Sequence, residues 1–155
     1  MVKPIPDGYH TATPYLTVDD AAKAIDFYGR AFGAKEVARM PMGDKIGHAE
    51  IKIGNSHIML SDEFPERDAL SPKTRGGATG SVMLYVDDVD LAFKQAIDTG
   101  ATEEMAVEDQ FWGDRMGSLR DPFGHKWMIA THVEDVADDE IQRRLENMGR
   151  VTETA

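Results

Sequence analysis

Polar and apolar positions along the chain fall into two similar stretches. In the first, a short apolar-rich run at 14–18 leads through Asp19-Asp20 into Ala21, Ile25, Tyr28 and Phe32, spaced by three or four residues. In the second, positions 82–86 lead through Asp87-Asp88 into Val89, Ala92, Phe93, Ala96 and Ile97. Such spacing places apolar side chains on one face of a helix. The aspartate ahead of each helix can accept the free N–H groups of its first turn, and Gly33 and Gly100 suit the backbone that ends one.

Each helix precedes further strand patterns. Those at 35–40 and 102–107 are weak, while 47–53 and 56–61 form a hairpin across Gly54-Asn55. In the second half, 116–120 and 126–131 form a hairpin across Asp121-Pro122-Phe123-Gly124. The chain therefore reads as an α+β fold of two tandem βαβββ modules. The expected divisions are an arm at 1–9, a first module at 10–63, a linker at 64–80, a second module at 81–133 and a tail at 134–155. The tail carries a short helix at 138–148, with Ile141, Leu145 and Met148 on one side.

Strand pairing assigns the faces. A two-residue turn at Gly54-Asn55 opposes Ile53 to Ser56 and Glu50 to Met59, and directly opposed residues share a face. Ala49, Ile51, Ile58 and Leu60 then face a helix, and His48, Glu50, Met59 and Ser61 face the other way. The same alternation sends Leu16, Val18, Leu84, Val86, Leu119, Trp127 and Ile129 to the helix side. It leaves Thr13, Tyr15, Thr17, Ser81, Met83, Tyr85, Ser118, Met128 and Ala130 opposite.

Composition narrows the function classes. The 155 residues carry a formal charge of −11, a field that repels nucleic acid and anionic membrane and mildly favours cationic ligands. No apolar run is long enough to span a bilayer and the first residues lack a signal-peptide core, so a cytoplasmic location is expected. Cysteine is absent, which removes disulfides, thiol nucleophiles and thiolate metal sites. No glycine-rich phosphate loop, nucleophile elbow or His-Glu zinc helix occurs.

The doubled strand–Val-Asp-Asp–helix pattern and the Asp121-Pro122-Phe123-Gly124-His125 turn resemble the vicinal oxygen chelate superfamily of glyoxalase, bleomycin-resistance and extradiol dioxygenase proteins. His48-Ala49-Glu50-Ile51-Lys52-Ile53-Gly54 and Gln110-Phe111-Trp112-Gly113-Asp114-Arg115 are similar to its PhnB-like branch. The resemblance implies a curved, cleft-lining mixed sheet with helices outside, and a homodimer. Metal-dependent members place His, Gln or Glu at four strand positions. These fall here on Thr13, Met59, Ser81 and Met128, two hydroxyls and two thioethers, so no metal and no other cofactor is expected.

The expected ligand-binding residues are Thr13, Tyr15, Met59, Ser61, Ser81, Met83, Tyr85, Phe111, Trp112, Arg115 and Met128. Methionines adapt to irregular shapes, and two loop aromatics beside an arginine can cover a ligand by stacking. His48 and Glu50, two apart on one strand face, are the candidate catalytic pair, because a carboxylate beside an imidazole supports proton transfer. Three readings stay open. The first is a metal-independent binder of a small molecule, such as a toxin or drug. The second is a lyase, isomerase or dioxygenase using His48 and Glu50 or a displaced divalent metal. The third is a structural dimer without a ligand.

Overall fold

The computed structural model describes residues 1–153, with side chains through 149. The first module comprises β1 (Tyr15–Val18), α1 (Ala21–Phe32), β2 (Lys35–Met42), β3 (Lys45–Ile53) and β4 (Ser56–Asp62). The second comprises β5 (Ser81–Tyr85), α3 (Val89–Thr99), β6 (Thr102–Asp109), β7 (Asp114–Arg120) and β8 (Lys126–His132). Each module is a four-stranded mixed sheet, ordered β1-β4-β3-β2 and β5-β8-β7-β6. The first strand runs parallel to the last, and the other pairs are antiparallel. The eight strands thus make two curved four-stranded sheets, each with its helix on the side away from the cleft face.

Local chemistry sets the helices. Asp20 and Asp88 accept the backbone N–H of Lys23 and Leu91, both at 3.0 Å. Gly33 (φ 68°) and Gly100 (φ 128°) end the helices in backbone conformations that other residues rarely adopt. The buried face of α1 holds Ala21, Ala24, Ile25, Phe27, Tyr28 and Ala31, and that of α3 holds Val89, Phe93 and Ala96.

The first hairpin pairs Ile53 with Ser56 and Glu50 with Met59, the register that a two-residue turn requires. In the second hairpin the Asp121 carboxylate accepts the backbone N–H of Phe123 at 2.9 Å and of His125 at 3.0 Å, shaping the turn. The outer strands β2 and β6 are mostly exposed and carry register shifts at Glu36/Ala38 and Glu103/Met105, which is why their alternation is faint in the sequence.

One core joins the modules. Tyr28 and Phe32 of α1 lie against Trp127 of β8, with ring centroids 5.2 and 4.7 Å apart, and α1 packs on α3. Leu60, Ile51, Leu119 and Ile129 are fully buried around these helices. The opposite sheet faces leave Tyr15, Met40, Tyr85 and Met105 exposed.

Between the modules lie a single 3-10 turn (Pro65–Arg67) and a short helix α2 (Pro72–Arg75) capped by Ser71. The tail helix α4 spans Asp138–Glu153 and is tied back by Arg144, which bonds to Glu134 and to the Phe111 carbonyl. Among the described residues no helix is long and apolar enough to cross a membrane.

Candidate functional site

The cleft face of the first sheet carries a continuous polar line. The Tyr15 hydroxyl lies 2.8 Å from His48 Nδ1, and His48 Nε2 lies 3.1 Å from Glu50 Oε1. The Tyr9 hydroxyl donates to the other Glu50 oxygen. A carboxylate only accepts, so His48 carries its proton on Nε2 when neutral and presents the Nδ1 lone pair to Tyr15. Hydrogen bonds from Tyr9, and then from His48, hold the Glu50 carboxyl below its ordinary range against the opposing effect of burial. Burial, followed by the Glu50 carboxylate, pushes the Tyr9 hydroxyl up to about 12.

Tyr9 was not a sequence candidate. It comes from the arm, stacks on His57 with centroids 4.2 Å apart, and is secured by the Gly8 carbonyl at 2.9 Å from His57 Nδ1. Nothing in periodicity signals a contact made by an irregular arm.

Met59 completes this patch, since it pairs with Tyr15 on one side and Glu50 on the other. Its neighbours Ile58 and Leu60 are buried toward the helix, so Met59 points to the cleft side. Met128 is placed likewise, between Met83 and Ser118, with Trp127 and Ile129 buried behind it. Ser61 lies on the same side but is buried, its hydroxyl donating to the Asp62 carbonyl at 2.9 Å.

A second polar cluster centres on Asp114, which is only 3% exposed. It accepts from the Tyr85 hydroxyl at 2.8 Å and the Trp112 indole at 3.0 Å, and lies 2.8 Å from His132 Nδ1. Burial would raise its carboxyl, but bonds from His132, Tyr85 and Trp112 outweigh that and hold it low. The strand register pairs Asp114 with His132, a match hidden in the sequence because β7 begins two residues before its apolar pattern does. Gly113 (φ 103°) lets the chain turn where a Cβ would collide with the Glu134 carbonyl, so the tail lies directly on this loop.

The structure thus brings together Tyr15, His48, Glu50 and Met59, and separately Tyr85 and Trp112. Phe111 packs edge-on to Trp112, centroids 5.0 Å apart, in a loop held by α4. Arg115 turns the other way. It shares a face with Thr131 and forks onto Asp90 of α3 with two bonds of 2.8 Å, adding Asp109 at 3.1 Å.

The residues do not fit the divalent metal of the metal-dependent relatives. Thr13 lines a small hollow with Met83 and His57, whereas Ser81 lines a larger groove beside Tyr15. Two thioethers and two hydroxyls are a poor donor set for such an ion. Among the described residues no three His, Asp or Glu side chains gather as a metal site.

Known proteins agree with this architecture. An uncharacterised protein from Mycobacterium bovis is 44% identical over 141 residues, covering 88% of this chain and 93% of its own. TioX from Micromonospora sp. ML1 superposes with a TM-score of 0.62 at 28% identity, over 79% of this chain and 99% of its own. A PhnB protein from Bacillus cereus shares the fold at 16% identity with a TM-score of 0.61, over 79% of this chain and 99% of its own. The sequence model of the Glyoxalase/Bleomycin resistance protein/Dioxygenase superfamily matches residues 9–129, and the chain belongs to that superfamily, with its small-molecule-binding fold.

Proposed function

We propose that the protein binds a small, partly apolar molecule on its cleft faces without a divalent metal, holding it rather than transforming it. The observation that carries this reading is the pair Met59 and Met128. The resemblance assigns both to positions where metal-dependent members carry a ligating residue, and Met59 pairs with Tyr15 on one sheet as Met128 pairs with Met83 on the other. Adaptable thioethers beside a few hydrogen-bonding groups make a surface for an organic ligand. The ligand set is Thr13, Tyr15, Met59, Ser81, Met83, Tyr85 and Met128, with Trp112 at its rim. Tyr15, Met40, Tyr85 and Met105 stand exposed on these faces, and a second copy facing them in a homodimer encloses the ligand.

A thermal-stability screen of aromatic and cationic compounds, run with EDTA and with added Mn²⁺ or Ni²⁺, tests the proposal. Stabilisation that survives EDTA and is lost in Tyr15→Ala or Met59→Glu supports it. Stabilisation that needs the metal overturns it.

The Tyr15–His48–Glu50–Tyr9 line favours a second reading, a proton-transfer enzyme. His48 Nδ1 is covered by Tyr15, so a proton taken from a substrate would enter at the Tyr15 oxygen and pass to His48 as the Tyr15 proton moves inward. Turnover of a compound from the screen, abolished by Tyr15→Phe with binding retained, would select this reading over simple binding.

A further inference from the structure

A large hollow lies in the seam between the modules, bordering the cleft faces at Tyr15, Thr17 and Ser81. It is a groove of about 650 Å³, walled by β1, the starts of β5 and β8, and the segment 70–80. That volume suits a small organic molecule. Its charge runs against the rest of the protein. The chain has 28 acidic and 17 basic residues, yet the groove is lined by Arg75, His125 and Lys126 and by no Asp or Glu among the described residues.

These cations have donors to spare. Arg75 uses Nη2 on Asp68, at 2.6 Å from the carboxylate, and its Nε and Nη1 make no hydrogen bond among the described residues. The Lys126 ammonium has Glu104 at 3.7 Å, beyond hydrogen-bond range, and that carboxylate is already engaged by Arg120. His125 spends Nε2 on the Thr17 carbonyl at 2.9 Å, which fixes its ring at the wall. Leu16, Leu70 and Val82 supply apolar surface between the charges.

We infer that this groove is a binding site for an organic anion, a carboxylate or phosphate ester with an apolar body. Arg75 and Lys126 take the anionic group, and Leu16, Leu70 and Val82 take the body. The guanidinium and ammonium act as charge-assisted donors, and the carboxylates that pair with them, Asp68 and Glu104, lie outside the groove lining. The site is distinct from the cleft-face reading above in its charged lining, although Tyr15 and Ser81 border both.

Amide NMR titration of the whole chain with phenyl phosphate, inorganic phosphate and phenol tests it. Phenyl phosphate is expected to give saturable shifts confined to residues 14–17, 70–82 and 125–126, with both partial probes binding more weakly. Arg75→Gln with Lys126→Gln should weaken phenyl phosphate about tenfold or more. Leu70→Ala should weaken it while leaving inorganic phosphate unchanged. Shifts that centre on 48–50 and 59, equal binding of phenol, equal binding of inorganic phosphate, or an affinity indifferent to the double variant would each overturn the assignment. The cleft-face proposal fails on different evidence, a metal requirement or indifference to Tyr15 and Met59.

Discussion

The Tyr28 hydroxyl donates to Asp121 across the two modules, at 2.6 Å and 93 positions apart in sequence. The same carboxylate oxygen accepts the Trp127 indole N–H at 2.8 Å, and its partner oxygen accepts two backbone N–H groups. A buried carboxylate is tolerable only when its lone pairs are used this fully. The bond therefore fastens α1 of the first module to the turn that shapes the second. Burial and the adjacent carboxylate together push the Tyr28 hydroxyl well above its ordinary range, so it stays a donor.

Tyr28→Phe keeps the ring but removes this donor. It is expected to cost about 1–3 kcal/mol of unfolding free energy, because the carboxylate remains buried with one partner fewer. Asp121→Ala should cost more, since it also strips Trp127 and the turn of their acceptor. Urea denaturation of both variants gives the comparison, and an unchanged midpoint in Tyr28→Phe would remove the proposed fastening.

Ile58 and Met59 are adjacent but face opposite ways, Ile58 being 2% exposed against the helix layer. Ile58→Ala should cost about 2–5 kcal/mol as a core cavity. Met59→Ala, on the cleft side, is expected to cost less than about 1.5 kcal/mol. Equal costs from denaturant titration would mean that the cleft-face assignment is wrong at the position on which the metal-free reading depends.

The Ile58/Met59 alternation was legible because two features of the sequence agree on it. The period of two assigns alternate residues to opposite faces, and the turn at Gly54-Asn55 fixes the register. The helices were legible from apolar spacing and Asp caps. Other features depend on contacts that have no period. Tyr9 reaches Glu50 from an arm without regular structure, 41 positions away. Arg75 and Lys126 line one groove only because the segment between the modules folds back onto the turn ahead of β8, where Pro72 lies against Gly124. Asp114 and Arg115 are polar residues at the start of β7, so they read as loop. Their strand geometry then sends Asp114 to Tyr85 and His132, and Arg115 to Asp90 on the helix side.

Glu50 links the arm to acid stability. Its carboxyl is held below the ordinary range in the folded state, chiefly by the Tyr9 hydroxyl. The stabilisation it contributes is present above the unfolded value of roughly 4.3 and is lost as pH falls through the lower folded value. Tyr9→Phe should move the Glu50 titration upward and release the arm from His57 at mildly acidic pH. Carboxyl ¹³C NMR follows the first effect and the His57 ring resonances the second. A Glu50 midpoint unmoved by the substitution would show that Tyr9 does not set it.

His132 acts in the opposite direction at the other end of the chain. It bridges Asp135 of the tail and buried Asp114, at 2.8 Å each, and these bonds, Asp135 first, raise its pKa. A raised value means that the protonated bridge contributes fully below the unfolded value of about 6.5 and is lost as pH climbs through the folded value. The hold of His132 on the tail should therefore loosen as pH rises past about 6.5 and through the folded value, while the Arg144 pairs to Glu134 stay charged and remain. Asp135→Asn is expected to lower the His132 midpoint, and Asp114→Asn to lower it and also free Trp112 and Tyr85 from their shared acceptor. The His132 Hε1 resonance, followed by NMR across pH 5 to about 9, reads the midpoint directly. A wild-type midpoint at or below about 6.5 would show that the two carboxylates do not clamp the imidazolium, leaving Arg144 as the link between the tail and the Phe111 loop.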